Sequence, residues 1–262
     1  MENLSCHIEL FETYAKRKIG ECQRNPMPLA LKREHTFRVL ENAQNIAKGE
    51  GFSYELVYVC EMAALYHDVA RFDQYIQFGT FRDAESFNHG LAGVRILQRE
   101  NFLKNVDKSL KRRIFTAIAC HNRARLPFCQ QGTSLLAVNV TRNADKLDIL
   151  RIMAEHLEHK PYNPTVILSL PDDDRLCGEK LIRCVREGKP ALYEDLRCVN
   201  DFRTLLGTWY NDLQFESSRR LYLRQGYGKK IVEQLPCSGD YGWVRSNLLG
   251  KFKKDMEQTG RE

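Results

Sequence analysis

The nine cysteines of this chain contain no C-x-x-C pair, and their odd number leaves one thiol out of any pairing. That argues against a disulfide framework and against a cysteine-held zinc, and makes a reducing cytoplasm the expected setting. No apolar run approaches the length needed to span a membrane. The first residues, "MENLSCHIEL", lack the basic-then-apolar order of a signal peptide. Internal repeats and low-complexity stretches are missing too. Strand-like alternation is scarce; "TVILSL" (Thr165–Leu170) is the one short stretch compatible with a strand, and equally with a loop packed on the core. Basic runs occur at Lys108–Arg113 and Lys251–Lys254, but without the interleaved aromatics of a single-strand binder. Solvated faces are the plainer reading, and neither nucleic acid nor a membrane is expected as a partner. The balance of 40 basic and 34 acidic residues, a formal charge of +6, accommodates a small anionic substrate.

Helical periodicity is plentiful. Val39, Ala43, Ile46 and Ala47 share one face of a helix over Glu34–Ala47, which Gly49 and Gly51 stop. Met62, Leu65, Tyr66 and Val69 share another. Leu110, Ile114, Ala117, Ile118 and His121 form a third, and Val138, Asp145, Ile149 and Ile152 a fourth. "KPYNPTVILSLPDDDRLCGE" (Lys160–Glu179), with three prolines and an acidic triplet, breaks the pattern before a C-terminal unit. Helical segments follow near Gly178–Glu187, Tyr193–Tyr210 and Glu216–Leu235, and Trp209, Tyr210 and Phe215 read as core. The closing "KDMEQTGRE" reads as frayed. The expected division is a helical segment over 1–30, a metal-binding core over 31–158 and a helical extension packed on it over 159–262.

Within this pattern "AALYHDVARFDQY" (Ala63–Tyr75) sets His67 and Asp68 side by side among apolar residues. A buried carboxylate needs a partner. His121 and Asp145 also fall on apolar faces, so both point inward. One such residue is usually structural, a histidine bonded to a carbonyl or a capped aspartate. Several in one helical core need each other or a metal. The inward or motif-placed set is His35, His67, Asp68, His89, His121 and Asp145, each on or at the end of a helix. His89 opens a helix for which Asn88 or Ser86 is the N-cap, and Gly90 and Gly93 there permit a close helix approach. Four imidazoles and two carboxylates without a thiolate suit iron, manganese, nickel, cobalt or zinc better than calcium. Helix neighbours point about 100° apart, so His67 and Asp68 do not readily chelate one ion from mid-helix. They can straddle two, with Asp68 bridging.

The order H…HD…H…H…D, together with "RNADKLDILRI" (Arg142–Ile152), resembles the HD-domain metal-dependent phosphohydrolase superfamily over roughly residues 30–155. The resemblance implies an all-α fold, an HD helical core with a C-terminal helical extension. His89 and His121 are similar to the extra ligands of its binuclear branch. It further implies one ion on His35, His67, Asp68 and Asp145, a second on Asp68, His89 and His121, and a bridging hydroxide as nucleophile towards a small phosphorylated substrate such as a nucleotide. Many such proteins carry a lysine three residues after the aspartate; here it is Arg71, whose fork can also hold a phosphate. The GYP signature is missing, so a cyclic dinucleotide is not favoured. Arg142 and Lys146 are further candidates for substrate phosphate, Arg142 equally for pairing with Asp145. Arg123 and Arg125 read as solvated loop charge, His156 and His159 as exposed, and His7 as incidental. The same ligand order resembles mixed-valent di-iron HD oxygenases, and a non-catalytic HD module is the third reading. Base rate and the intact ligand set favour hydrolysis.

Overall fold

A computed structural model of the chain describes residues 3–123, 126, 132–175 and 177–259. The fold is all-α, with no strand among the described residues. Among the described residues no helix is long and apolar enough to cross a membrane. Contacts divide the chain into two compact units, Met1–Asp145 and Lys146–Glu262. That boundary lies inside a helix, whereas the sequence reading placed it near residue 158, at the end of the same helix. The N-terminal segment belongs to the first unit.

The first unit contains α1 (Leu4–Glu21), α2 (Met27–Gly49), α3 (Tyr54–Tyr66), α4 (Ala70–Phe78), α5 (His89–Arg99), α6 (Lys108–Cys120) and the start of α7 (Gly132–His156). Helix α2 begins seven residues earlier than the periodicity predicts. Pro28 sits within its first turn, where a missing N–H disturbs nothing, and "LALK" continues the helix into "REH". Four N-caps follow local chemistry. The side chains of Asn3, Ser53, Asn88 and Asp107 each accept a backbone N–H of the first turn, so of the two candidates before His89 it is Asn88 that caps.

The core of this unit is aromatic. Phe11, Tyr14, Tyr66 and Phe72 are fully shielded, and Tyr66 stacks on Phe102 at 5.3 Å between ring centroids. Burial of side chains this size stabilises by about 1.5–3 kcal/mol each. His7, read from sequence as incidental, is buried between two tyrosines. Its Nδ1 lies 3.1 Å from the Tyr66 hydroxyl and its Nε2 3.1 Å from that of Tyr58, which ties α1 to α3.

Helices α5 and α6 approach closely at Gly90 and Gly93. A Cβ on Gly90 would meet the Ile118 carbonyl oxygen at 2.8 Å and Asn122 Oδ1 at 2.8 Å. Backbone cannot yield cheaply, so Gly90→Val is expected to destabilise by about 1–3 kcal/mol through overpacking. Urea denaturation measures this, and an unchanged midpoint would contradict the close approach.

The second unit takes up α7 from Lys146 and continues with α8 (Glu179–Glu187), α9 (Val199–Thr208), α10 (Glu216–Gln225), α11 (Tyr227–Val232) and α12 (Gly239–Thr259). Trp209, Tyr210 and Phe215 are buried as predicted. The segment Tyr193–Tyr210 is broken ahead of α9, and Gly226 at φ 72° separates α10 from α11. Thr165–Leu170 forms turns, not a strand, and the C-terminal segment stays helical to Thr259 where fraying was expected. Ile149 and Ile152 are only half-buried; the shielded apolar positions of α7 include Ala137, Val138, Val140, Ala144, Leu147, Leu150 and Ala154.

Candidate metal centre

Helix α3 ends at Tyr66 and α4 starts at Ala70, so His67 and Asp68 occupy a turn between two helices. They are not mid-helix neighbours. His67 Nδ1 lies 2.7 Å from the Ala64 carbonyl, three residues back. A carbonyl only accepts, so Nδ1 carries the proton and Nε2 presents a lone pair. His121 repeats the device at the end of α6, with Nδ1 2.7 Å from the Ile118 carbonyl. Each imidazole satisfies a carbonyl that its helix end leaves over, and the same bond aims its other nitrogen inward.

His35 projects from α2, His89 opens α5, and Asp145 lies on α7. Two groups of three result, each with ligand-type atoms within 4.8 Å of one another. One is His35, His67 and Asp145; the other is Asp68, His89 and His121. The four histidines and Asp68 are buried, and Asp145 is partly exposed. Asp68 stands between the groups. Its Oδ2 is 3.7 Å from His35 Nε2 and 3.5 Å from His67 Nε2. Its Oδ1 is 3.4 Å from His89 Nε2 and 3.9 Å from His121 Nε2. Asp145 Oδ1 closes the first group, 3.1 Å from His35 Nε2 and 3.8 Å from His67 Nε2. In the second, His89 Nε2 and His121 Nε2 are 3.0 Å apart.

The protonation states suit cation binding. Burial pushes His67 below its ordinary pKa, and burial with the neighbouring His89 and His67 brings His121 down to about 3. Burial opposes charge on Asp68, but Lys32, His67, Arg71 and His89 hold its carboxyl well below the usual range. Asp145 is also lowered against burial, chiefly by the hydrogen bond from His35. Neutral imidazole and ionised carboxylate are the forms that coordinate a metal. The Nε2 of His67 is buried without a hydrogen-bond partner, an arrangement that a metal ion relieves. The donor set therefore fits divalent metal.

Three residues of this centre escaped the sequence reading. Lys32 places Nζ 2.7 Å from Asp68 Oδ2. Asp83, in a single 3-10 turn before α5, receives His89 Nδ1 at 2.7 Å, Arg71 Nη1 at 3.0 Å, Gln74 Nε2 at 3.0 Å and Asn122 Nδ2 at 2.9 Å. Burial opposes its charge, yet His89 first, then Gln74 and Arg71, keep the Asp83 carboxyl below the ordinary range. Asn122 is the third. A carboxylate behind the remote nitrogen of a ligand imidazole fixes its tautomer and orientation. Asp83→Ala is thus expected to weaken metal binding at the second group by about 10–100-fold while sparing the first. Isothermal titration with Mn²⁺ would show this, and two unchanged affinities would count against it.

The cations expected to meet substrate phosphate have other tasks. Arg71 donates to Asp68 Oδ1 at 3.3 Å, to Asp83, to Gln74 Oε1 at 2.7 Å and to the Phe81 carbonyl. Arg142 does not pair with Asp145; its Nη1 donates to the carbonyls of His121 and Arg123, which braces the turn carrying His121. Lys146 is paired with Asp212 and lies over the Trp209 ring. Arg123 is partly buried rather than solvated, with Nε shielded and lacking a hydrogen-bond partner. Arg125 lies outside the described residues. His156 and His159 are exposed, as expected.

Comparison with protein families matches residues 33–148 to the HD domain. The match starts two residues before His35 and ends three after Asp145, so the matched segment contains both groups. HD domains bind divalent metals and are mostly metal-dependent hydrolases. Searches of curated proteins and of solved structures give no match.

Proposed function

We propose that this protein is a metal-dependent phosphohydrolase that takes two divalent ions and cleaves a small phosphate ester, with nucleotides as one class of substrate. The supporting observation is the placement of Asp68, whose two carboxylate oxygens face different pairs of histidines. His35, His67 and Asp145 would hold one ion with Asp68 Oδ2, and His89 and His121 the other with Oδ1. Ions bound there supply Lewis acidity towards phosphoryl oxygens and lower the pKa of a bound water. The chain's part is orientation. The carbonyls of Ala64 and Ile118 and the carboxylate of Asp83 fix three of the imidazoles. Arg71 links Asp68 to Asp83, so the bridging carboxylate and His89 are held by one network.

The test is phosphate release from a panel of nucleotides and sugar phosphates, with protein loaded separately with Mn²⁺, Fe²⁺, Ni²⁺, Co²⁺ or Zn²⁺. Hydrolysis of at least one ester, abolished by EDTA and restored by metal, is the expected result. No hydrolysis of any ester, combined with substrate-dependent oxygen uptake and a mixed-valent di-iron EPR signal, would replace it with the oxygenase reading.

A further inference from the structure

Of the basic side chains at this centre, Lys32 stands apart in what holds it. Arg71 keeps Asp83, Gln74 and the Phe81 carbonyl whatever happens to Asp68. Arg142 is spent on two carbonyls and Lys146 on Asp212. The acceptor for Lys32 is Asp68 Oδ2, at 2.7 Å, the oxygen that also faces His35 and His67. Lys32 lies on α2 one turn before His35, and its side chain keeps a 22% exposure. The Phe81 ring, 5.6 Å from Nζ, flanks the ammonium without neutralising it. A divalent ion coordinated by Asp68 Oδ2 would face a positive charge at hydrogen-bond distance from its own ligand.

We propose that Lys32 is the internal counter-ion of Asp68, that divalent metal displaces it, and that the released ammonium binds the phosphoryl group of the substrate. This rests on the phosphohydrolase reading and adds the residue that meets the anion. Its logic is charge exchange. Without metal, Lys32 neutralises a buried carboxylate. With metal, that carboxylate is taken and Lys32 needs a new anion, which a phosphate ester supplies at the centre where it reacts.

The proposal predicts two effects of opposite sign for Lys32→Met. Mn²⁺ binding, titrated calorimetrically without anion, tightens by about threefold or more, because a competing positive charge is gone. Inorganic phosphate binding to the Mn²⁺-loaded protein weakens by about tenfold or more, the loss of one charge-assisted hydrogen bond. Lys32→Arg, which keeps the charge, recovers most of the phosphate affinity. Lys32→Gln repeats the comparison in case the methionine variant folds poorly. A merely structural role would move both affinities down together or neither, and either pattern overturns the proposal. So does a phosphate loss that appears in Arg123→Met and not in Lys32→Met. If wild-type, metal-loaded protein neither binds phosphate nor cleaves any ester, the phosphohydrolase reading itself falls. If it does both and Lys32→Met does so equally well, the reading stands and only the role of Lys32 is lost.

Discussion

Asp68→Ala is expected to empty both metal groups and to lower turnover of a phosphate ester by about three orders of magnitude or more, which corresponds to losing several kcal/mol of Lewis-acid stabilisation. His89→Ala and His121→Ala should each release about one equivalent and leave the His35, His67 and Asp145 group loaded. The difference follows from position. Asp68 faces four imidazole nitrogens through two oxygens, whereas His89 and His121 each face one of those oxygens. Asp68 also receives Lys32 and Arg71, so its removal leaves Lys32 without its carboxylate. Asp68→Asn, which preserves shape, separates that structural effect from lost coordination. Metal content by plasma emission, read beside turnover, makes the comparison. Equal metal loss in all three alanine variants would count against a bridging carboxylate.

How much of this centre was legible in the sequence depends on whether a residue's role is periodic or relational. His121 and Asp145 declared themselves by interrupting apolar helical faces. His67 and Asp68 did so by adjacency in an apolar run, and His89 by opening a capped helix. The structure brings all six together. Asp83 had no such signal. It lies in the polar segment "GTFRDAESF", which has no helical period, and its meaning is that it faces His89 and Asn122. Lys32 was hidden by a misplaced helix start. With α2 beginning at Met27, its place one turn before His35 puts it on the ligand face. Helical geometry put Arg142 on the side of Asp145, but not the carbonyls of His121 and Arg123 that engage it. His7 is the extreme case. Its partners Tyr58 and Tyr66 are 51 and 59 residues away, and a lone histidine in a polar segment gives no hint of either.

The centre should also govern stability. Folding of the first unit gathers four buried imidazoles and two carboxylates, with Lys32 and Arg71 at hydrogen-bond distance from Asp68. Two ring nitrogens are brought to 3.0 Å, and the Nε2 of His67 is shielded without a hydrogen-bond partner. The unfolded chain cannot assemble such a site, so metal binds the folded form preferentially. At a free metal concentration about 1,000 times the dissociation constant, one site stabilises by about 4 kcal/mol. For a chain of this size, each kcal/mol raises the melting temperature by about 2–4 °C, so saturating one group should lift the transition of Met1–Asp145 by about 10 °C. Differential scanning calorimetry of EDTA-treated protein against protein resupplied with Mn²⁺ measures the shift. The second group should add a further rise that His121→Ala removes and Asp68→Ala abolishes together with the first. A melting curve indifferent to chelation and to metal would mean that the six side chains are held by one another, and the metal-dependent reading would go with it.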